Sequence, residues 1–111
     1  MKSEAEVISE VKDIIASHPL VVFMKGTATM PRCGFSATAA EILKSYSYPI
    51  KSIDILERLD IREYLPDFSD WPTFPQIFIG GELVGGSDIL TQLHQTGELA
   101  NLLKAAHPVK S

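Results

Sequence analysis

Apolar residues near the amino terminus recur at helical spacing, and those that follow come in short runs. The helical stripe comprises Val7, Ile8, Val11, Ile14 and Ile15. This spacing predicts an amphipathic helix over residues 3–17, because the apolar side chains share one face, and His18-Pro19 ends it. The next segment, Leu20–Met24, is wholly apolar, which predicts a buried strand.

The middle of the chain alternates between patterns typical of helices and of strands. A glycine and a proline mark a loop over residues 25–32, and good helix formers follow over residues 33–46. Residues 50–55 alternate between apolar and polar, which predicts a second strand. Residues 57–68 predict a short helix and a turn.

The last third of the chain contains a hairpin signal. Residues 75–79 and 82–84 are mainly apolar and flank Gly80-Gly81, a pair typical of a tight turn. A final helical region over residues 89–106 is interrupted at Gly97. Helix and strand alternate before the hairpin, so we expect the first two strands to pair in parallel through a crossover. The predicted fold class is α/β: a four-stranded mixed sheet flanked by helices on both faces, which resembles the thioredoxin-like fold.

Size and charge exclude several classes of protein. The 111 residues suit a single domain over 1–111, and the net charge of −4 argues against nucleic-acid binding. No apolar run approaches the roughly 18 residues that cross a membrane, and no signal peptide or other targeting segment is visible. A single cysteine leaves no internal disulfide, which favours a reducing compartment.

Cys33 is the only cysteine and therefore needs an external sulfur for any disulfide or cluster chemistry. That sulfur can come from a small thiol, a partner protein, a metal centre or a second copy of the chain. The predicted helix begins at Cys33, and a helix amino terminus lowers a thiol pKa. Lys25 and Arg32 add positive charge nearby. The alternative is a buried structural cysteine, although the flanking Pro, Arg and Gly are not a packed apolar stretch.

Ser36 stands three residues after Cys33, where a dithiol redox protein has its second cysteine. Its hydroxyl can bond backbone groups in the first turn of the helix. It also removes dithiol chemistry from the site. These two interpretations are compatible, and both remain open.

Four motifs in order carry a resemblance to a known family. They are Phe23-Met24-Lys25-Gly26-Thr27, Pro31-Arg32-Cys33-Gly34-Phe35-Ser36, Trp71-Pro72-Thr73-Phe74-Pro75-Gln76 and Gly85-Gly86-Ser87-Asp88. Together they resemble the signatures of the monothiol, CGFS-type glutaredoxins. The resemblance covers roughly residues 7–103, and four motifs at matching spacing are far more specific than the cysteine motif alone.

The resemblance implies glutathione-dependent binding and transfer of a 2Fe-2S cluster. The cluster would lie at a homodimer interface, ligated by Cys33 of each chain and by two glutathione molecules, because such a cluster takes four thiolates. The implied partners are glutathione, BolA-like proteins and apo iron-sulfur client proteins, in a mitochondrial matrix or a cytoplasm. The alternative is a glutathione-dependent monothiol oxidoreductase that removes glutathione from mixed disulfides. The resemblance implies that the loop containing Lys25-Gly26-Thr27 disfavours reduction by a second glutathione, so enzyme activity is expected to be weak at most.

The resemblance also implies which residues bind glutathione. Lys25 and Arg62 would hold its glycyl carboxylate. Gly86, Ser87 and Asp88 would hold the γ-glutamyl end, at a helix amino terminus suited to a carboxylate. The alternatives are a plain helix cap for residues 86–88 and a solvated arginine paired with nearby glutamates for Arg62.

The remaining implications concern the groove and its rim. Phe74 would pair through its backbone with the cysteinyl part of glutathione, next to a cis bond at Phe74-Pro75. Trp71 would line the groove edge, or else pack in the core or on the surface. Phe35 would lie near the cluster interface, or else in the core.

Two positions depart from the family pattern. Ala28 stands where many members have proline, which predicts a looser loop. Ser87 stands where many members carry a second cysteine, so that distant disulfide is excluded here.

Overall fold

The computed structural model describes residues 2–107, which form five helices and four strands. The elements are α1 (Glu4–Ser17), β1 (Leu20–Met24), α2 (Gly34–Lys44), β2 (Lys51–Asp54), α3 (Leu59–Ser69), β3 (Gln76–Ile79), β4 (Glu82–Gly85), α4 (Ser87–Thr96) and α5 (Glu98–Ala106). Residues 1 and 108–111, which the single predicted domain includes, lie outside the described part.

The four strands form one mixed sheet in the order β2-β1-β3-β4. β1 pairs with β2 in parallel and with β3 antiparallel, and β3 pairs with β4 antiparallel. The predicted α/β class, the mixed sheet and the parallel first pair are therefore confirmed. The parallel pair brings the carboxyl ends of β1 and β2 to one edge, where Met24 and Asp54 are register partners.

Strand β1 is buried on both faces, which explains its uninterrupted apolar sequence. Leu20, Val22 and Met24 belong to a core shared with α2, α4 and α5. Val21 and Phe23 belong to the opposite core, shared with α1 and α3. Side chains alternate across a strand, so this single strand connects both layers of helices.

Helix α1 begins with a capping box and packs against α3. The Ser3 side chain accepts from the Glu6 amide, and the Glu6 side chain accepts from the Ser3 amide. Val7 and Val11 on the inner face are fully buried. The amphipathic stripe of the sequence therefore faces the core as predicted.

A bridge of ion pairs joins the outer sides of α1 and α3. The Arg58 guanidinium donates to both carboxylate oxygens of Glu10, at 2.6 and 2.7 Å, and to Asp60 at 3.1 Å. The hydrogen bonds that Glu10 accepts from Arg58 and from Lys2 lower the pKa of Glu10 to about 2. Hydrogen bonds from the two carboxylates raise the pKa of Arg58 further above its usual range.

Element boundaries differ from the sequence-based prediction in specific places. The final helical region is two helices, because Gly97 adopts φ +85° and ends α4 before α5 starts. α4 starts at Ser87, two residues earlier than predicted. The second strand is shorter than predicted, at Lys51–Asp54. Among residues 2–107, no helix is both long and apolar enough to cross a lipid bilayer.

Candidate functional site

Cys33 caps the amino terminus of α2. Its backbone is extended (φ −153°), and its sulfur accepts from the Ser36 amide at 3.3 Å. The thiol is half-buried rather than enclosed in the core. The cap position and this partial exposure argue against a purely structural cysteine.

The environment favours the thiolate form of Cys33. Partial burial raises the pKa of the thiol, but it is outweighed by hydrogen bonds from the Ser36 side chain and amide and the Phe35 amide, and by the charge of Lys25. The net pKa of Cys33 therefore lies below its ordinary value. A thiolate is the nucleophilic and metal-ligating form of cysteine, and the lowered pKa of Cys33 agrees in direction with the expected activated thiol.

Ser36 connects the thiol to the loop after β1. Its side chain is fully buried, and its Oγ accepts from the Lys25 amide at 3.1 Å. The same Oγ lies 3.4 Å from Cys33 Sγ. In the thiol form Cys33 Sγ donates to this oxygen, and when the sulfur is ionised the hydroxyl can rotate and donate its own proton to the thiolate. Both interpretations of Ser36 therefore agree with the structure: it bonds backbone and it replaces a second thiol.

A groove of about 370 Å³ reaches Phe35, two residues after Cys33, although Cys33 is not itself one of its lining residues. Its lining residues are Lys25, Phe35, Trp71, Thr73, Phe74, Pro75, Gly86, Ser87, Asp88 and Ile89. One cation lies in this lining, and the first turn of α4 supplies unpaired backbone N–H groups. Both features suit an anionic ligand.

The floor of the groove is built from the segment before β3. Its Phe74-Pro75 bond is cis, as the resemblance implied. A Cβ added at Gly86 would lie 3.3 Å from the Pro75 carbonyl oxygen and 3.4 Å from Trp71 Nε1. A side chain at residue 86 would make tight contacts with Pro75 and Trp71, so glycine favours this close approach of α4 to Trp71.

Gln76 supports this floor and was missed by the sequence analysis. Its side chain is fully buried at the start of β3, and its Nε2 donates to the Trp71 carbonyl at 2.8 Å. The only signal was an amide side chain beside an otherwise apolar strand, since buried polar groups are almost always hydrogen-bonded.

The structure brings most of the predicted glutathione residues together. Lys25, Phe74 and residues 86–88 all line the groove, as does Trp71. Arg62 does not line it and is exposed on α3. Nor does Arg62 form an ion pair with another residue of the described part, so the alternative pairing with Glu57 or Glu63 is not observed. Its role in ligand binding stays a prediction.

Large apolar side chains surround the thiol on the surface. Phe35 is 67% exposed and Met30 is 66% exposed. Both lie within three residues of Cys33 in sequence. Phe35 is therefore not part of the core, and a protein or ligand that docks at the thiol would cover apolar surface here.

Within residues 2–107, no three His, Cys, Asp or Glu side chains are grouped so that they could hold a metal ion. This described part of a single chain thus offers one thiolate and no complete metal site. Any cluster held at Cys33 would need ligands from other molecules.

A family model described as glutaredoxin matches residues 20–84, more than half of the chain. The chain belongs to the glutaredoxin family. This glutaredoxin is 45% identical over 98 residues to Glutaredoxin 4 of Haemophilus influenzae (strain 86-028NP), covering 88% of this chain and 92% of that one. It is 51% identical over 89 residues to "Monothiol glutaredoxin-S4, mitochondrial" of Oryza sativa subsp. japonica, covering 80% of this chain and 48% of that longer one.

Solved structures agree with this membership of the glutaredoxin family. The solution structure of reduced poplar apo GrxS14 superposes with a TM-score of 0.80 at 43% identity, covering 90% of this chain and 92% of that one. The holo form of glutaredoxin C1 from Populus tremula x tremuloides gives a TM-score of 0.85 at 26% identity, covering 97% and 96%. The predicted thioredoxin-like fold and the resemblance to monothiol glutaredoxins are confirmed.

Proposed function

We propose that this glutaredoxin binds glutathione in the groove and, as a homodimer, carries a 2Fe-2S cluster to client proteins. The observation that carries the proposal is the half-exposed Cys33 thiol, whose pKa is lowered in a chain without a second thiol. Such a site is activated for ligation yet cannot close a disulfide on itself.

The cluster is cargo here, and the ligand count follows from the sequence. A 2Fe-2S cluster takes four thiolates, and each chain supplies only Cys33. Two chains and two glutathione molecules complete the set. The groove lining includes Phe35, two residues after Cys33, so a small thiol bound there would bring its sulfur near Cys33 in each chain.

Glutathione would lie along the groove with its two carboxylates apart. Lys25 would hold the glycyl carboxylate, with Arg62 reaching in from α3. The first turn of α4 would receive the γ-glutamyl carboxylate on its free amides, and the exposed Asp88 would meet the ammonium group. The backbone of Phe74 would pair with the cysteinyl unit.

The exposed Phe35 and Met30 support contact with other proteins at the same face. A second copy of the chain would cover them in the cluster-bound dimer. BolA-like proteins and apo client proteins would compete for that surface. One face would thereby serve both cluster binding and cluster transfer.

Monothiol oxidoreductase activity is the second candidate, favoured by the accessible sulfur with its lowered pKa. The Cys33 thiolate would attack the glutathione sulfur of a mixed disulfide, and the freed protein thiolate would leave and take up a proton. A glutathione thiolate would then attack the Cys33-glutathione disulfide, releasing glutathione disulfide and restoring Cys33.

The proposed compartment is a reducing one, a bacterial cytoplasm or a mitochondrial matrix. Relatives of the chain include proteins of Haemophilus influenzae and plant proteins named as mitochondrial. A lone functional thiol supports this proposal, because an oxidising compartment would convert it to a disulfide with a small thiol or with another protein.

Anaerobic reconstitution with iron, sulfide and glutathione tests the carrier function. We expect a brown protein with visible absorption bands, which elutes as a dimer and returns to a monomer when the cluster is lost. A colourless monomer that rapidly deglutathionylates a mixed-disulfide substrate would overturn the carrier function and favour the oxidoreductase.

Cys33→Ser should abolish both the cluster and the thiol activity. Ser45→Ala at the other end of α2 is the matched control, because its hydroxyl caps only the helix carboxyl terminus, and it should reconstitute normally. A cluster retained in Cys33→Ser would show that other residues ligate it.

A further inference from the structure

Asp54 joins the ends of the two parallel strands that lead to the site. It is the last residue of β2 and the register partner of Met24, the last residue of β1. Its Oδ1 accepts from the Gly26 amide at 3.0 Å and from the Leu56 amide at 2.9 Å. One carboxylate oxygen thus holds the loop after β1 to the turn after β2.

The loop held by Asp54 has little freedom at its base. Gly26 adopts φ +86°, and a Cβ there would lie 2.4 Å from the Met30 carbonyl oxygen. The Arg32 amide donates to the Lys25 carbonyl at 2.9 Å, which closes the loop. The position of the Gly26 amide therefore determines where the chain enters the loop, next to Lys25, and where it leaves the loop, next to Cys33.

A second contact holds the same loop to β2. The Ala28 amide donates to Ser52 Oγ at 3.4 Å. Proline at this position would have no N–H to donate. The alanine that predicted a looser loop thus supplies a tether to the strand that also carries Asp54.

The hydrogen bonds continue from this anchor to the thiol. Lys25 directly precedes Gly26, and the Lys25 amide donates to Ser36 Oγ. The same oxygen lies within hydrogen-bond distance of Cys33 Sγ. Asp54 forms no ion pair with another residue of the described range 2–107. Its carboxylate therefore works as a hydrogen-bond acceptor at a fixed point and not as a counter-ion.

We propose that Asp54 is a positioning residue of the site: by holding the Gly26 amide, it sets the placement of Lys25 and of the Cys33 environment. The expected effect on glutathione affinity rests on the proposed function, whereas the expected effect on the Cys33 thiol does not. Loss of the anchor would move Lys25 away from both the groove and the thiol. Glutathione affinity and the thiolate fraction at neutral pH would fall together.

Three substitutions at one position separate hydrogen bonding from charge. Asp54→Asn keeps a carbonyl oxygen at the same distance and loses the charge, whereas Asp54→Glu keeps the charge and displaces the oxygen. Asp54→Ala removes both. We expect wild-type behaviour from Asp54→Asn, and about 5-fold weaker glutathione binding from the other two, which corresponds to roughly one ordinary hydrogen bond.

The readouts are glutathione affinity by calorimetry, the pH dependence of Cys33 alkylation by iodoacetamide, and the melting temperature. A higher alkylation pKa in Asp54→Glu, restored in Asp54→Asn, supports the positioning role. A purely structural residue would change only the melting temperature. If Asp54→Ala does not fold, the comparison of Asp54→Glu with Asp54→Asn decides.

Two results would overturn the inference: folded Asp54→Glu with a wild-type alkylation profile, or Asp54→Asn as impaired as Asp54→Glu. Failure of the proposed function would look different. In that case the wild-type protein would not bind glutathione, while the alkylation profiles would still test the anchor, because alkylation needs no glutathione.

Discussion

Two sets of basic side chains in this protein differ in their partners. Arg58 is surrounded by carboxylates, with two hydrogen bonds to Glu10 and two to Asp60. Lys25 and Arg62 form no ion pair with any residue in the described range 2–107. Lys25 nevertheless faces the groove, half-buried.

This difference separates a structural charge from a charge available to a ligand. The charge of Arg58 is neutralised by carboxylates of the same chain, and the ion pair with Glu10 joins α1 to the start of α3 across 48 positions. In the described range Lys25 has no carboxylate partner, so its charge is available to an anionic ligand. At Lys25, a ligand carboxylate and the Cys33 thiolate are the available anions.

The largest expected effect comes from reversing the charge in the groove. Lys25→Glu should weaken glutathione binding by about 10- to 100-fold, because an attractive contact to a carboxylate becomes repulsive. Calorimetric titration measures the affinity, and the melting temperature should change little. Lys51→Glu is the matched control, since that lysine is exposed on β2 and does not line the groove. Equal affinities for the two variants would contradict the assignment of Lys25.

The reverse pattern is expected at Arg58. Arg58→Met should lower the free energy of unfolding by about 1 to 2 kcal/mol, since a two-pronged ion pair between helices is lost, while glutathione affinity stays within about twofold of wild type. Denaturant titration and calorimetry measure the two quantities. A large loss of affinity without loss of stability would place Arg58 in the binding site.

The same variant should also lose a pH dependence. The pKa of Glu10 is lowered to about 2 from an ordinary value of 4.5. The stability that this carboxylate contributes is therefore present above pH 4.5 and is lost as the pH falls toward about 2. Arg58→Met should flatten that part of the stability profile, and an unchanged slope would show that other carboxylates produce it.

The smallest effect is expected at Arg62. Arg62→Ala should weaken glutathione binding by only about 2- to 5-fold, because an exposed ion pair contributes at most about 1 kcal/mol. Titration of Arg62→Ala beside Lys25→Ala measures the order of the two. A larger loss at Arg62 would show that α3 moves toward the groove on binding.

The fold was largely predictable because its signals are local. A continuous apolar run predicted β1, and a glycine pair predicted the β3-β4 turn. The split at Gly97 was ambiguous, because one glycine can either interrupt a helix or end it. Lone Cys33 and the four motifs predicted the candidate site, and five of the six predicted glutathione residues line the groove.

The features that sequence reasoning missed are contacts between distant residues. The Gly26 amide meets Asp54, which lies 28 positions along the chain, and Arg58 meets Glu10 across 48 positions. Such pairs depend on strand register and helix packing, and single-sequence patterns do not contain them. The parallel register of β1 and β2 was the one available clue to Asp54.

Native mass spectrometry of the anaerobically reconstituted protein tests the central claim most directly, because it counts every component of the assembly. We expect one species that contains two chains, one 2Fe-2S cluster and two glutathione molecules, and we expect Cys33→Ser to lack it. A cluster-bound species without glutathione, or a cluster held by a single chain, would contradict it.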